Sequence, residues 1–376
     1  MSLRIVLAPD SFKGSASALE VAHALGEGLQ QSLPTARLRL APMADGGEGT
    51  LDCVAAAVAG AWQTTRLTAI HGQSMDAPWY RTENDRAILE SATVLGLPLI
   101  EASVDAPALA ARGSRALGEL VIGALDAGCR DIAIGLGGSA CNDAGLGLLT
   151  ALGATAHDDS GQAVAPTMDG LLALARLDLS GLDRRLAETR LTALCDVDNP
   201  LLGEQGASRI YGPQKGLTDS QIQAVEAAFE GLATECGPRG NIYAAGSGAA
   251  GGLGFALAVL GAELAPGANA LMDLTGLRPR LAEADLVITG EGRSDAQTLS
   301  GKLPLAIARA AAPTPTWLVS GGIADEARAE LQTHFAACHT LVERAGSVEA
   351  ARAEPLRWLR QAAREIGQDT ARQSAG

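Results

Sequence analysis

Aromatic residues are scarce in this sequence and make up only 3% of its 376 positions. Stacking on bases or sugar rings is therefore not expected to drive binding. Positive charge is also scarce, because 29 Lys and Arg residues stand against 43 Asp and Glu residues and give a formal net charge of −14. A nucleic-acid-binding protein normally carries a basic surface, so this composition argues against nucleic acid as a partner.

Signals for export, disulfide bonding and zinc binding are also missing. Residues 1–10 contain Arg4 and no long apolar stretch, so no signal peptide is expected. The six cysteines show no CxxC spacing, which predicts reduced thiols in a cytoplasmic protein and no zinc site. Residues 241–262 carry no charge and are mostly Gly, Ala and Ser. That composition favours a buried, glycine-rich helix start over a membrane span, so no membrane association is expected.

Lysine is the rarest of the charged residues, with three among the 29 basic positions. A genome that favours arginine codons would explain the scarcity. The remaining lysines would then lie where a compact ammonium group serves better than the planar guanidinium group of arginine. All three follow or precede turn-forming residues: Lys13, Lys215 and Lys302.

The length and the hydrophobic pattern predict two domains. A single core stops growing near about 250–300 residues. Alternating strands and helices at both chain ends favour a parallel sheet with helices on both faces. We expect strands at 3–8, 37–40, 284–289 and 316–320, helices at 17–31, 51–58, 303–311 and 348–366, and a loop at 290–300.

The middle of the chain has a different character. Short β-like runs at 62–70, 79–82 and 87–89 are separated by turn residues, which suggests antiparallel pairing. The sequence therefore predicts an α/β protein with two domains. One is a Rossmann-like or flavodoxin-like parallel-sheet domain formed by residues 1–60 and 280–376. The other is an inserted mixed α/β domain at 61–279.

Ligands of open α/β sheets bind beyond the carboxyl ends of the strands, and polar loops follow several predicted strands. Asp10, Ser11 and Lys13 follow the first strand and suggest a site for an anion or a metal–phosphate complex. The alternative is a turn that the Asp10 side chain caps. In the glycine-rich loop at 45–50, carboxylates could reach Mg²⁺ while backbone amides approach a phosphate. The alternative is a tight turn whose Glu48 only complements a helix dipole.

Three further loops have the same two interpretations. The run at 135–143 resembles an anion nest of backbone amides, or serves close packing. Asp196 and Asp198 follow a strand and could bind metal or act as a base, or form an Asx-turn before Pro200. The loop at 290–300 leads to Lys302 near a helix start, where a phosphate would also meet the helix dipole.

Other familiar motifs do not fit. Lys302 is followed by Leu303, so no GxxxxGK[ST] phosphate loop exists. Residues 246–251 match GxGxxG, but the preceding residues make a poor strand. The five histidines join none of the acidic loops, which makes a hydrolase triad a weak interpretation. Glycine loops, carboxylates and isolated lysines fit phosphoryl transfer better, because that reaction needs positioning and charge more than a covalent nucleophile.

Taken together, these loops resemble the bacterial glycerate kinase family, the glycerate 2-kinases of the type I fold. The match runs in order along nearly the whole chain. One departure is Cys141, which stands where a Thr or Val is expected and differs little from them in size. The motifs that carry it are APDSFKGS (8–15), PMADGGEGT (42–50), GLGGSA (135–140) with ND (142–143), CDVDNPL (195–201), GPQKG (212–216) and TGEGR (289–293) with GK (301–302).

The resemblance implies an enzyme that uses ATP and Mg²⁺ to phosphorylate D-glycerate to 2-phosphoglycerate, and it leaves a homodimer open. We expect Lys13, Asp196 and Lys302 to be catalytic, with Asp196 as the base that accepts the glycerate hydroxyl proton. The expected metal ligands are Asp45, Glu48 and Glu291. The expected substrate- or phosphate-binding residues are Asp10, Ser11, Gly137, Gly138, Ser139, Asn142, Lys215 and Arg293.

Two rival functions come from other classes. A nicotinamide oxidoreductase would rest on residues 246–251, and tight NADH binding would support it. A non-catalytic sensor of sugar acids would bind glycerate without consuming ATP.

Overall fold

The fold is described from a computed structural model of the chain, which describes residues 2–299 and 301–375, with the backbone alone for 373–375. Ser300, the last residue of the loop predicted at 290–300, lies outside the described residues. The chain divides into two compact units. The terminal unit comprises Met1–Asp45, Asp52–Val58 and Ala268–Gly376, and the central unit comprises Gly46–Leu51 and Ala59–Gly267. The domain boundaries predicted from the sequence, 1–60 with 280–376 and 61–279, stay a prediction.

The described residues form thirteen strands. They are β1 (Arg4–Leu7), β2 (Arg37–Leu40), β3 (Gly60–Thr68), β4 (Ser74–Thr82), β5 (Arg86–Glu90), β6 (Asp131–Gly135), β7 (Thr155–His157), β8 (Arg176–Asp178), β9 (Arg190–Leu194), β10 (Glu263–Ala265), β11 (Leu286–Ser294), β12 (Thr316–Ile323) and β13 (Ala337–Thr340).

The same residues form eighteen α-helices and three short 3₁₀ turns, at Leu109–Ala111, Arg184–Glu188 and Gly237–Arg239. The helices are α1 (Ala18–Ser32), α2 (Thr50–Ala57), α3 (Ala92–Leu95), α4 (Leu97–Glu101), α5 (Arg115–Asp126), α6 (Leu146–Ala151), α7 (Met168–Leu172), α8 (Ala207–Lys215), α9 (Asp219–Glu235), α10 (Ala249–Val259), α11 (Gly267–Leu274), α12 (Leu277–Ala282), α13 (Ala296–Leu299), α14 (Leu303–Ala311), α15 (Asp325–His334), α16 (Leu341–Ala345), α17 (Val348–Ala353) and α18 (Pro355–Ala375).

The terminal unit contains a five-stranded sheet in the order β13–β12–β11–β1–β2, and every neighbouring pair is parallel. The three inner strands β1, β11 and β12 are largely buried, as strands covered on both faces are, whereas the edge strands β2 and β13 are mostly half-buried or exposed. Helix α1 begins where the sequence predicted, because Ser17 and Glu20 form the expected capping box. Helices α1 and α18 pack closely on each other, and Leu25 and Ile366 are among the buried residues of this core.

Two predictions about the terminal unit were wrong. The glycines at 290 and 292 do not start a loop, because β11 continues to Ser294 and pairs with β12 along that length. A Cβ at Gly290 would stand 1.9 Å from the carbonyl oxygen of Val319, so this glycine permits a close approach of two backbones rather than a turn. The helix predicted at 348–366 is divided into α17 and α18, because Pro355 excludes helical geometry at the residue before it.

The central unit is built on a six-stranded mixed sheet in the order β10–β9–β6–β5–β4–β3. As the sequence predicted, the β3–β4 and β4–β5 pairs are antiparallel, and the remaining pairs are parallel. The predicted fold class, an α/β protein with a parallel sheet and a mixed sheet in two parts, is confirmed. The uncharged stretch at 241–262 contributes the buried helix α10. Within the part of the chain that the structure describes, no helix has the length and apolar character to cross a membrane.

Candidate active site

A cavity of about 740 Å³ lies at the carboxyl edge of the sheet in the terminal unit. Parallel strands all end at this edge, so the residues that follow them meet there. The cavity receives residues from the loop after β1, from the segment after β2, from the ends of β11 and β12, and from the start of α16. Seven of the residues predicted from sequence line it together: Asp10, Ser11, Lys13, Asp45, Glu291, Arg293 and Lys302.

Asp10 is the carboxylate at the end of β1, and its side chain is buried. Its Oδ1 accepts a hydrogen bond from the backbone N–H of Ser11 at 2.6 Å. Burial raises the pKa of the Asp10 carboxyl to about 8, and the neighbouring charges of Asp45 and Glu291 act in the same direction, against the opposing effect of Lys13. Negative charge in this part of the cavity is therefore incompletely compensated by the protein itself.

Glu291 lies on β11 between two glycines and is held by hydroxyl groups. Its Oε1 accepts hydrogen bonds from Ser294 Oγ at 2.9 Å and from Thr298 Oγ1 at 2.6 Å. Burial raises the pKa of the Glu291 carboxyl, and these two hydroxyl bonds, followed by the charge of Lys302, oppose the shift. The hydroxyls fix the orientation of a carboxylate that points into the cavity.

The predicted cations stand at the rim of the same cavity. Lys13 is exposed at the tip of the loop after β1. Lys302 is the N-cap residue of α14, and its Nζ donates a hydrogen bond to Gln297 Oε1 at 2.6 Å. The guanidinium of Arg293 is largely exposed, with Nε 4.0 Å from Asp295 Oδ2. These charges remain hydrated and accessible to an anionic ligand.

Sequence reasoning missed two further arginines in the cavity, Arg328 and Arg352. Arg328 forms an ion pair with Glu343 at 2.9 Å. Both arginines lie on helices outside the glycine-rich loops, and an arginine on an amphipathic helix looks like any solvated surface residue. No signal in the sequence distinguished them.

The remaining phosphate-binding candidates lie together in the central unit, around Lys215. This side chain is buried, and its Nζ donates hydrogen bonds to the carbonyl oxygen of Cys141 at 2.7 Å and to Ser139 Oγ at 3.3 Å. Burial lowers the pKa of the Lys215 ammonium. Lys215 thus holds the loop that contains Gly137 and Gly138, and Gly138, at the exposed tip, has a left-handed backbone with φ of 78°.

The neighbouring Asn142 and Asp143 are fully buried and tie the same loop to the rest of the central unit. Asn142 Nδ2 donates to Ser208 Oγ at 3.1 Å. The Asp143 carboxylate accepts hydrogen bonds from the backbone N–H and the hydroxyl of Ser114, both at 2.8 Å, and from the N–H of Gly147 at 3.0 Å. Asp143 therefore anchors the turn into α6.

The loop at 45–50 differs from its predicted chemistry in one respect. Its backbone amides were expected to approach a phosphate. In the structure the carboxylate of Glu90, a residue that sequence reasoning missed, accepts hydrogen bonds from the N–H groups of Gly49 at 3.3 Å and Leu51 at 3.2 Å. Glu90 is buried and caps the start of α2, and Glu48 is exposed beside it. An internal carboxylate thus uses the amides that a phosphate would need.

Asp196 lies where it was predicted, directly after β9, and is partly buried. The local turn is fixed instead by Asn199, which donates from Nδ2 to the carbonyl oxygen of Gln205 at 2.7 Å and accepts at Oδ1 from the Tyr211 hydroxyl at 2.6 Å. The amide group of Asn199 therefore links this turn to Gln205 and Tyr211, and the role of Asp196 as a base stays a prediction.

Residues 246–251 do not form a dinucleotide-binding turn. Between β9 and β10 the described residues contain no strand, whereas that fingerprint requires a strand before its glycines. Ala250, Gly251 and Gly252 instead have left-handed backbones at the start of α10. The oxidoreductase interpretation therefore lacks its structural context.

No group of three or more His, Cys, Asp or Glu side chains among the described residues is arranged to hold a metal ion. Mg²⁺ keeps several waters and commonly binds through one or two carboxylates and the phosphates of a substrate, so it does not require such a group. Of the predicted ligands, Asp45 and Glu291 line the cavity of the terminal unit and Glu48 belongs to the central unit. This ligand set stays a prediction.

The chain is similar to known proteins over almost its full length. The family model described as "Glycerate kinase family" matches residues 5–371. Glycerate kinase of Halalkalibacterium halodurans is 38% identical over 370 residues, which cover 96% of this chain and 97% of that protein. Glycerate 2-kinase of Escherichia coli strain K12 is 37% identical over 356 residues, 93% of each chain. The crystal structure of a protein from Salmonella typhimurium LT2, proposed to be a glycerate kinase 2, superposes with a TM-score of 0.82 at 36% identity and covers 99% of both chains.

Proposed function

Because this chain belongs to the glycerate kinase family, we propose that it transfers the γ-phosphoryl group of ATP to the C2 hydroxyl of D-glycerate, giving 2-phosphoglycerate and ADP. Membership of the family makes the protein an enzyme that phosphorylates an alcohol group. We propose beyond this that ATP is the nucleotide, that Mg²⁺ is the metal and that C2 is the carbon that receives the phosphate. Phosphorylation at C2 is supported by the similarity to the Escherichia coli glycerate 2-kinase.

The observation that carries the proposal is the charge pattern of the cavity in the terminal unit. Lys13, Arg293 and Lys302 line the same cavity as the carboxylates that follow β1 and β2 and that stand on β11. Phosphoryl transfer depends on positioning and on stabilisation of charge on the transferred group rather than on a protein nucleophile. A cavity with accessible cations beside fixed carboxylates supplies both requirements.

The same residues fit Mg²⁺. Burial raises the pKa of the Asp10 carboxyl, and the charges of Asp45 and Glu291 add to that shift. A divalent cation would relieve the repulsion among these carboxylates. Asp45 and Glu291 would hold the ion, with Glu48 as the third predicted ligand. When bound, Mg²⁺ neutralises phosphate charge.

The chain's own residues account for the remaining steps. The C2 oxygen of glycerate forms a bond to the γ-phosphorus while the bond between that phosphorus and the β,γ-bridging oxygen breaks. Asp196 accepts the proton that the hydroxyl loses, and a positioned carboxylate needs to take it only late in the reaction. Lys13 and Lys302 stabilise the charge that develops on the transferred group.

A coupled ADP-release assay with D-glycerate tests the proposal. We expect turnover that requires Mg²⁺ and stops with excess chelator. Two-dimensional ³¹P–¹H correlation of the product identifies the phosphorylated carbon. Correlation to C3 protons would refute phosphorylation at C2 and retain the kinase. Calorimetric binding of glycerate without any ADP release would favour the sugar-acid sensor instead.

A further inference from the structure

The cavity of the terminal unit changes in chemical character along the edge of the sheet. Its lysines and the carboxylates of Asp10, Asp45 and Glu291 come from the segments after β1 and β2, from β11 and from the start of α14. Its large aliphatic side chains come from the end of β12 and from α16 and α17, where the charged groups of α15 and α16 also line the cavity. In the order β13–β12–β11–β1–β2 the two sides meet at the neighbouring strands β12 and β11, and the outermost strands β13 and β2 are four spacings of about 4.8 Å apart, roughly 19 Å.

Two valines on the apolar side are accessible, Val342 on α16 and Val348 on α17; we refer to them as the valine wall. Val348 exposes 52% of its surface, which is unusual for a large aliphatic residue in this chain. Val342 Cγ2 lies over the backbone of β12, 3.5 Å from the position that a Cβ on Gly322 would take. An exposed apolar surface inside a cavity favours a ligand with an apolar face.

Glycerate does not match that wall. It has three carbons, each bearing an oxygen, and offers no apolar face. The cavity volume of about 740 Å³ falls in the range of sites for larger ligands, about 300–1,000 Å³. A nucleoside phosphate, with a planar base at one end and negative charge at the other, matches both sides of the cavity.

Helix α17 serves both ends of such a ligand. Val348 and Arg352 are four residues apart, so they share one face of the helix, and both line the cavity. The Arg352 guanidinium reaches the loop after β1, where it lies 3.7 Å from the position of a Cβ on Gly14, next to Lys13. Within residues 2–299 and 301–375, neither Arg352 nor Lys13 forms an ion pair, whereas Arg328 is paired with Glu343.

We propose that this cavity binds the nucleotide of the reaction, with the base on the valine wall and the phosphates toward Lys13 and Arg352. This inference rests on the proposed function, because it assigns one of the two substrates to a place in the chain. It makes Arg352 a phosphate-binding residue that no glycine-rich motif revealed.

Isothermal titration calorimetry of the full chain, without glycerate, tests the assignment with two ligands, adenosine and MgADP. Val348→Asn should weaken both about tenfold, because it removes one aliphatic contact with the base. Arg352→Gln should weaken MgADP about tenfold or more and leave adenosine within twofold, because it removes a charge-assisted contact to phosphate. The matched controls are Val104→Asn, at a fully exposed valine in the central unit, and Arg309→Gln, at an exposed arginine outside the cavity. Both should bind like the wild type.

The outcomes separate this inference from the proposed function. Unchanged nucleotide affinity in both cavity variants would overturn the assignment, even if the enzyme turns over D-glycerate. Weakened glycerate binding with unchanged nucleotide binding would also overturn it, since the cavity would then be the acid site. If adenosine and MgADP affinities change as expected but D-glycerate is not turned over, the assignment of the nucleotide site stands and D-glycerate is refuted as the phosphate acceptor. If Val348→Asn lowers the melting temperature, Val348→Ala repeats the test without a polar side chain at this position.

Discussion

Asp10→Asn should stabilise the folded protein at neutral and alkaline pH while it lowers activity. The carboxyl ionises near 3.8 in the unfolded chain and near 8 in the folded protein, where burial and the charge of Asp45 oppose ionisation. Between these values the folded state keeps a proton that the unfolded state has lost, so wild-type stability falls as the pH rises from about 4 to 8. Asparagine has no proton to lose and avoids this loss.

The size of the effect has a limit set by the pKa shift of Asp10. At about 1.36 kcal/mol per pKa unit, a rise from 3.8 to about 8 corresponds to at most roughly 6 kcal/mol. Water in the open cavity screens much of this energy, so we expect a stabilisation of about 1–3 kcal/mol above pH 8. In a chain of this length that raises the melting temperature by about 2–5 °C.

The assay is thermal unfolding of both proteins from pH 5 to pH 9, with and without Mg²⁺. The difference in melting temperature should be smallest at pH 5 and largest above pH 8. Mg²⁺ should reduce it at pH 8, because a bound cation favours the ionised carboxyl. Asp159→Asn, at an exposed aspartate of the central unit, is the control and should leave the pH profile unchanged. A difference that is equal at pH 5 and pH 9 would refute the reasoning.

Three further predictions concern activity and stability. Lys13→Ala and Lys302→Ala should each lower kcat/KM by roughly 10²-fold at unchanged melting temperature, as the loss of one charge-stabilising donor does, and Lys→Arg should not fully restore it. Asp196→Asn should lower kcat while calorimetry still detects glycerate binding; retention of more than about a third of kcat would place less than one kcal/mol of the barrier at this carboxylate. Lys215→Met should lower the free energy of unfolding by about 1–3 kcal/mol, because the carbonyl oxygen of Cys141 loses its buried donor. An unchanged urea midpoint for Lys215→Met would contradict that view of the buried lysine.

The alternation of strands and helices was predictable because each buried strand here is a short apolar run bounded by turn residues. The sequence placed five polar loops beyond strand ends, because ligands of parallel sheets bind there. Residues from three of these loops, among them Asp10, Glu291 and Lys302, line one cavity, and the sequence did not indicate which three would meet. The polar partners were not predictable. Nothing in the sequence indicates that Glu90 meets the amides of Gly49 and Leu51.

Glycine was the least reliable guide. The sequence shows where side chains are missing but not whether the backbone turns or another backbone approaches. At Gly138 the left-handed conformation requires glycine, as expected of a loop. At Gly290 the residue continues a strand, and the prediction of a loop was wrong for that reason. Arg352 was missed because only the packing of α17 beside the loop after β1 gives it a place in the cavity.

The close contact between β11 and β12 also determines where this protein can change by mutation. A methyl group at Gly290 would stand 1.9 Å from a carbonyl oxygen, and one at Gly321 would stand 2.2 Å from the carbonyl oxygen of Gly292. A library randomised at these positions should return glycine, which keeps the backbone on either side of Glu291 in its present course. The valine wall meets no such backbone restriction, because Val348 is exposed and Val342 is only half-buried. We therefore expect new ligand preferences to arise on α16 and α17, beside a contact between β11 and β12 that requires glycine at these two positions.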